Sequence, residues 1–227
     1  MNLMKYLDGA AARFGSCFFT LKPQVMERCT FTFGDSVTNP DTFGTKNSFW
    51  GILRAIMLNV KENKKFFDNK SCFSVKEVIE YLSSLKREPL FKIGKNLDDY
   101  IEAQIHGEIN LINDVDCFYI DESFKNTEIN GQAEILSEKY DIKLFWIPQR
   151  KIHVNNIGNE FRGSAIPILA RKIISKFNIE TEYINAEIIG RASRDSILNP
   201  KEWSDLGTEQ ELFQYMKQLW HTVAYFG

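Results

Sequence analysis

The chain has 227 residues, 44% hydrophobic and 13% aromatic, enough apolar matter for a real core and too much for an intrinsically disordered chain. Its 28 basic and 30 acidic residues nearly cancel, so the basic excess of a nucleic-acid domain is missing and no nucleic-acid partner is expected. There is no signal-peptide pattern and no run of about 18 apolar residues, so no membrane span is expected and the chain reads as cytoplasmic. A protein injected into a host by a specialised secretion system would carry the same features.

The length suits one compact domain over residues 1–227. After a weakly patterned start, Ser16–Lys22 and Arg28–Gly34 are β-branched and aromatic, and read as strands separated at Pro23. In the second, Arg28, Thr30 and Thr32 share one face, and Cys29, Phe31 and Phe33 the other. The loop Gly34–Thr45 is rich in Gly, Pro, Asn, Asp and Thr. From Ser48, apolar residues recur at helical steps (Phe49, Trp50, Leu53, Ile56, Met57, Val60), which predicts an amphipathic helix. Lys61–Lys65 reads as solvated surface. A capping box, Ser74 to Glu77, opens a second helix over Val78, Ile79, Leu82 and Leu85, ended by Pro89.

Asp116–Asp121 and Lys143–Pro148 read as strands, with a helix near Gln132–Lys139 between them. Helical patterns return at Ala165–Phe177, Tyr183–Ile189 and Glu209–Ala224. The last follows a capping box from Thr208 to Glu211 and turns Leu212, Met216, Leu219, Trp220 and Val223 to the core. Mixed strands and helices followed by a helical C-terminal third make the class α+β. The cysteines (Cys17, Cys29, Cys72, Cys117) form no C-x-x-C pair, which argues against a zinc ribbon or redox motif. Cys17, Cys29 and Cys117 read as small buried thiols.

Asp98–Leu111 is the most informative segment. As a strand it puts Tyr100, Glu102, Gln104 and His106 in one polar row and Ile101, Ala103 and Ile105 on the core side. That row is either the solvated face of an edge strand or a functional face presenting a carboxylate, an amide and an imidazole together. As a helix it would align Asp99, Glu102 and His106 for a metal ion, although Gly107 and the β-rich context oppose it. A metal-dependent hydrolase or nuclease built on Asp35, Glu102 and His106 is one alternative, and a non-catalytic interaction domain is another. The Gly34–Thr45 loop could cradle a phosphate or ribose, but it is no P-loop.

The runs Ala12–Cys17, Arg28–Ser36, Ile101–Gly107, Asp114–Val115, Phe161–Gly163 and Gln218–His221 resemble, in order, the motifs of a bacterial family. That family was long catalogued as a domain of unknown function, and it is linked to mono-ADP-ribosyltransferases, effectors of intracellular pathogens among them. The resemblance implies an ADP-ribosyltransferase-like mixed fold of small antiparallel sheets that binds NAD in a cleft between two of them. It also implies transfer of ADP-ribose from NAD to a protein side chain, with release of nicotinamide and without a metal. Glu102 matches the catalytic strand glutamate, with Glu108 as the fallback. Gln104 and His106 would line the cleft, and Arg13, Ser16, Arg28 and Ser36 would serve the phosphates and ribose of NAD. The arginine-modifying branch often carries Glu or Gln two residues before the catalytic glutamate, where this chain has Tyr100, so arginine is one acceptor among several. Family members begin upstream of this chain with two further strands, so the resemblance implies a missing N-terminal part. The expected partner is a protein substrate, a host protein included, and the expected state is a monomer.

Overall fold

The structure, a computed structural model, describes residues 1–2, 5–38, 40–66, 70–71, 74–84, 97 and 100–227. These form a mixed α+β fold with small sheets and a helical C-terminal region. The chain divides into two compact units, one of residues 1–119 and 133–145, the other of residues 120–132 and 146–227.

In the first unit β1 (Cys17–Leu21) leads through a 3-10 turn, Pro23–Arg28, into β2 (Cys29–Phe33). Then follow β3 (Gly44–Thr45), α1 (Trp50–Asn63), β4 (Lys65–Phe66), β5 (Lys70–Ser71), α2 (Val75–Ser84), β6 (Ile101–Ile105) and α3 (Leu111–Asp114). β7 (Val115–Asp121), α4 (Glu128–Tyr140) and β8 (Lys143–Ile147) carry the chain between the units. One sheet has the order β3–β2–β6 and another β1–β7–β8. Period-two alternation in β2 and β6 turns Cys29, Phe31 and Ile101 to the core, where they meet Ile52, Ile56 and Val60 of α1. Phe31 alone, 2% exposed, contributes roughly 1.5–3 kcal/mol by its burial. Gly44 lets β3 approach α1, because a Cβ there would stand 2.7 Å from the Ile52 side chain. α1 ends at Lys64, whose left-handed backbone (φ 55°) returns its N–H to the Val60 carbonyl.

The second unit holds β9 (Lys151–His153), α5 (Ala165–Phe177), β10 (Tyr183–Asn185), α6 (Ala186–Leu198), the 3-10 segment Pro200–Leu206 and α7 (Glu209–Phe226). β9 and β10 pair antiparallel, with Ile152 opposite Ile184. α7 opens on the predicted Thr208–Glu211 capping box and buries Leu212, Met216, Leu219, Trp220 and Val223. Trp203, 1% exposed, donates its indole N–H to Asp195 at 2.8 Å, and the ammonium groups of Lys172 and Lys176 lie over its ring.

Three expectations need correction. Tyr183–Asn185 is strand rather than helix, because Asn185 caps the Ile188 N–H and α6 begins only after it. Trp50 is 79% exposed, since the inward stripe of α1 is Ile52, Ile56 and Val60. Cys17 is exposed at the end of an edge strand, whereas Cys29 and Cys117 are buried. Cys72, Leu85, Pro89, Asp98 and Asp99 lie outside the described residues.

Candidate functional site

β6 adopts the strand reading of the polar segment, ending before Gly107 at φ +83°. Its register sets Glu102 opposite Thr32 and Gln104 opposite Thr30. The polar row therefore meets the threonine face of β2. Thr30 Oγ1 donates to Gln104 Oε1 at 3.3 Å, and Gln104 Nε2 donates to Thr32 Oγ1 at 3.2 Å. His106 Nε2 lies 3.0 Å from Thr30 Oγ1. Thr32 is buried outright, so part of this row is internal rather than solvated.

Glu102 takes its partners from elsewhere. β2 ends at Phe33 and is followed by Gly34, whose φ of +81° suits glycine, and whose N–H donates to the Tyr100 carbonyl at 2.8 Å. The chain then turns through Asp35, whose carboxylate accepts the Val37 N–H at 3.0 Å and whose carbonyl accepts the Thr38 hydroxyl at 2.7 Å. This turn delivers Ser36 onto Glu102 at two points. The Ser36 N–H donates to Oε2 at 2.6 Å and its hydroxyl to Oε1 at 2.9 Å. Both carboxylate oxygens are thus fixed by charge-assisted bonds, while each keeps lone-pair capacity for a ligand.

A cavity of about 630 Å³ opens in the same unit, within the size range of small-molecule sites. Phe14, Phe18, Phe19 and Phe31 form much of its wall, and Tyr100, Glu102, Asp8 and Thr20 supply polar groups. Phe14 meets the Tyr100 ring edge-on, with centroids 5.8 Å apart. Tyr100 is only 5% exposed. Burial, then the neighbouring Asp35 carboxylate, pushes its phenol up to about 12, against a smaller opposite pull from Arg13.

Of the residues singled out from sequence, Glu102 lines the cavity and Ser36 holds it. Gln104 and His106 are held by β2 beside that pair, outside the cavity wall. Arg13 lies over the Phe14 ring at 5.3 Å, and the Ser16 hydroxyl is 3.9 Å from the Cys17 sulfur, so both flank wall residues. Arg28 stands apart. Its guanidinium binds Asp114 at 2.7 Å and the His106 carbonyl at 2.8 Å, and the Asp114 carboxylate also accepts the Asn110 N–H at 2.8 Å. That arrangement clasps the 106–114 turn. Glu108 is exposed beyond the strand. The two threonines and the role of Asp35 were missed. The alternation of β2 placed Thr30 and Thr32 on one face, but no local pattern tells which side chains that face meets.

Among the described residues, no three His, Cys, Asp or Glu side chains gather as a metal site, so Asp35, Glu102 and His106 do not form one. Among the described residues, no helix is long and apolar enough to cross a membrane.

Compared with known proteins, the chain matches the family described as Protein of unknown function (DUF3626) over residues 1–226, and it belongs to that family. No curated protein matches it.

Proposed function

We propose that this member of the family is an NAD-dependent mono-ADP-ribosyltransferase acting on a protein side chain, with Glu102 as its catalytic carboxylate. The observation that carries the reading is the two-point grip of Ser36 on Glu102 at the wall of an aromatic cavity. A carboxylate so fixed is preorganised, and it reorganises little when charge develops beside it.

The cavity suits the nicotinamide–ribose half of NAD. Phe14, Phe18 and Phe19 offer aromatic surface for the nicotinamide ring, and Glu102 offers acceptors for ribose hydroxyls. Arg13 and Ser16, next to wall residues, are the groups for the diphosphate. In the reaction the C1′–N bond to nicotinamide breaks and its electron pair leaves with the ring. A nucleophilic atom of the acceptor side chain forms the new bond to C1′, and the proton it sheds passes to Glu102 or to water. Positive charge develops on the ribose as the bond breaks, and the Glu102 anion stabilises that charge and orients the acceptor. Gln104 and His106, beside Glu102 on the same face, would meet the acceptor in this scheme. Arginine is one acceptor this scheme accommodates.

The test is nicotinamide release from NAD by the purified chain, with and without a chelator. Glu102→Ala should lower the rate by at least about 10²-fold, the scale of losing one electrostatic stabiliser. The chelator should change nothing. NAD at roughly 100 times its Kd should stabilise the fold by about 2.7 kcal/mol. Full activity in Glu102→Ala, or loss of activity with the chelator, would contradict the reading.

A further inference from the structure

Among the described residues, two buried hydroxyl oxygens in residues of the cavity wall have no hydrogen-bond partner, Tyr100 Oη and Thr20 Oγ1. A buried polar group left unpaired costs about 1–3 kcal/mol, and native proteins keep few of them. The two come from different sheets. Thr20 lies on β1, in the β1–β7–β8 sheet, and Tyr100 heads β6, in the β3–β2–β6 sheet. Tyr100 is the sharper case, because the whole residue is only 5% exposed. The neighbouring Asp35 carboxylate accepts from the Val37 N–H at 3.0 Å and makes no bond of hydrogen-bond geometry to the phenol. Packing accounts for the ring, which meets Phe14 edge-on, but a phenylalanine would fill the same space without burying an oxygen. The oxygen is therefore explained by a partner from outside the chain.

We infer that Tyr100 is a substrate-binding residue whose phenol O–H donates to the carboxamide carbonyl of the nicotinamide ring, and so selects a neutral amide on a flat ring. The ladder with β2 continues past β6 to the Tyr100 carbonyl, so the backbone is extended there. Two residues apart on one face, Tyr100 and Glu102 are spaced by about 6–7 Å along the strand, and both line the cavity. That spacing suits a ligand with hydroxyls at one end and an amide across a single aromatic ring. The phenol keeps its proton up to about 12, so it is a donor at neutral pH. Asp35 and Glu102, both close enough to act on the phenol by their charge, disfavour a carboxylate at this point and leave a carbonyl as the fitting acceptor. Phe14, 64% exposed with its centroid 5.8 Å from that of Tyr100, is the neighbour that the ligand ring displaces to reach the covered oxygen.

The inference rests on the proposed function for the choice of nicotinamide, but its test needs no turnover. The experiment is an NMR shift titration of the whole chain, wild type and Tyr100→Phe, with nicotinamide, nicotinate and pyridine at millimolar concentrations, beside urea denaturation at neutral pH. Wild type should bind nicotinamide at least about tenfold more tightly than nicotinate or pyridine, and Tyr100→Phe should lose that advantage. Without ligand, Tyr100→Phe should be as stable as wild type or more so, because it removes a buried oxygen that has no bond. That pairing of kept stability with lost binding is what a structural role for the hydroxyl would not produce. A folded wild type that binds no nicotinamide overturns the inference, and so does a Tyr100→Phe variant that binds it undiminished or is destabilised without ligand. If NAD is still turned over in those cases, the transferase reading stands without this inference. Phenol-dependent nicotinamide binding in a protein that never turns over NAD upholds the inference and sinks the transferase reading instead.

Discussion

Removing the Ser36 hydroxyl is the most informative small change to this protein. Ser36→Ala deletes the 2.9 Å bond to Glu102 Oε1 and leaves the 2.6 Å bond from the backbone N–H to Oε2. A hydrogen bond to a charged group contributes roughly 1.5–3 kcal/mol. Each 1.36 kcal/mol or so is a factor of about ten in rate. If the carboxylate works only when held in place, kcat should fall about 10- to 100-fold. KM for NAD should move little, because the apolar wall proposed to bind NAD is untouched. The fold should survive, since the Ser36 side chain carries no core packing. The assay is the initial rate of nicotinamide release over a range of NAD concentrations, with Ser36→Thr as a control that keeps the hydroxyl. A Ser36→Ala variant with kcat within about twofold of wild type, or with only KM raised, would refute the reasoning.

Other outcomes follow from the same geometry. The folded protein keeps the Tyr100 proton between its ordinary value of 10 and about 12, a window in which the unfolded chain releases it. Stability should therefore fall as pH rises through that window, by roughly 2–3 kcal/mol in full, and urea titrations should show a smaller loss in Tyr100→Phe. Arg28→Ala unties the 106–114 turn and leaves the largely buried Asp114 carboxylate without its ion pair. It should cost about 1–3 kcal/mol in chemical denaturation. In the second unit burial pushes Asp195 up, but the bonds from Trp203, Asn199 and Lys176 outweigh it and hold the carboxyl below its ordinary 3.8. The stability this provides is present at neutral pH and fades as pH falls below that value, so the deficit of Asp195→Asn should shrink in acid denaturation series.

Much of the fold was legible because its signals are local. The capping boxes at Ser74 and Thr208 formed as expected, with both reciprocal bonds in place in each. α5 begins and ends where its pattern does, at Ala165 and Phe177. The polar row of β6 followed from alternation alone. Tyr183–Asn185 misled because Tyr, Ile and Asn suit a strand next to a cap as well as a first helical turn, and pairing with β9 decided between them. The site was less legible than the fold. Glu102 stood out as a carboxylate on a strand, but its grip comes from Ser36, 66 residues away. That contact depends on how a glycine-started turn closes on a neighbouring strand, which no sequence spacing encodes. Arg28 looked like an anion ligand because its partner, Asp114, is equally remote.

The most direct test of the central claim is transfer of labelled ADP-ribose from NAD in a eukaryotic cell lysate, comparing wild type with Glu102→Gln. The account predicts a discrete labelled protein band with wild type that disappears with Glu102→Gln, a change that keeps the side chain's shape and removes its charge. A band of undiminished intensity with Glu102→Gln, or no labelling by the folded wild-type protein, would contradict it.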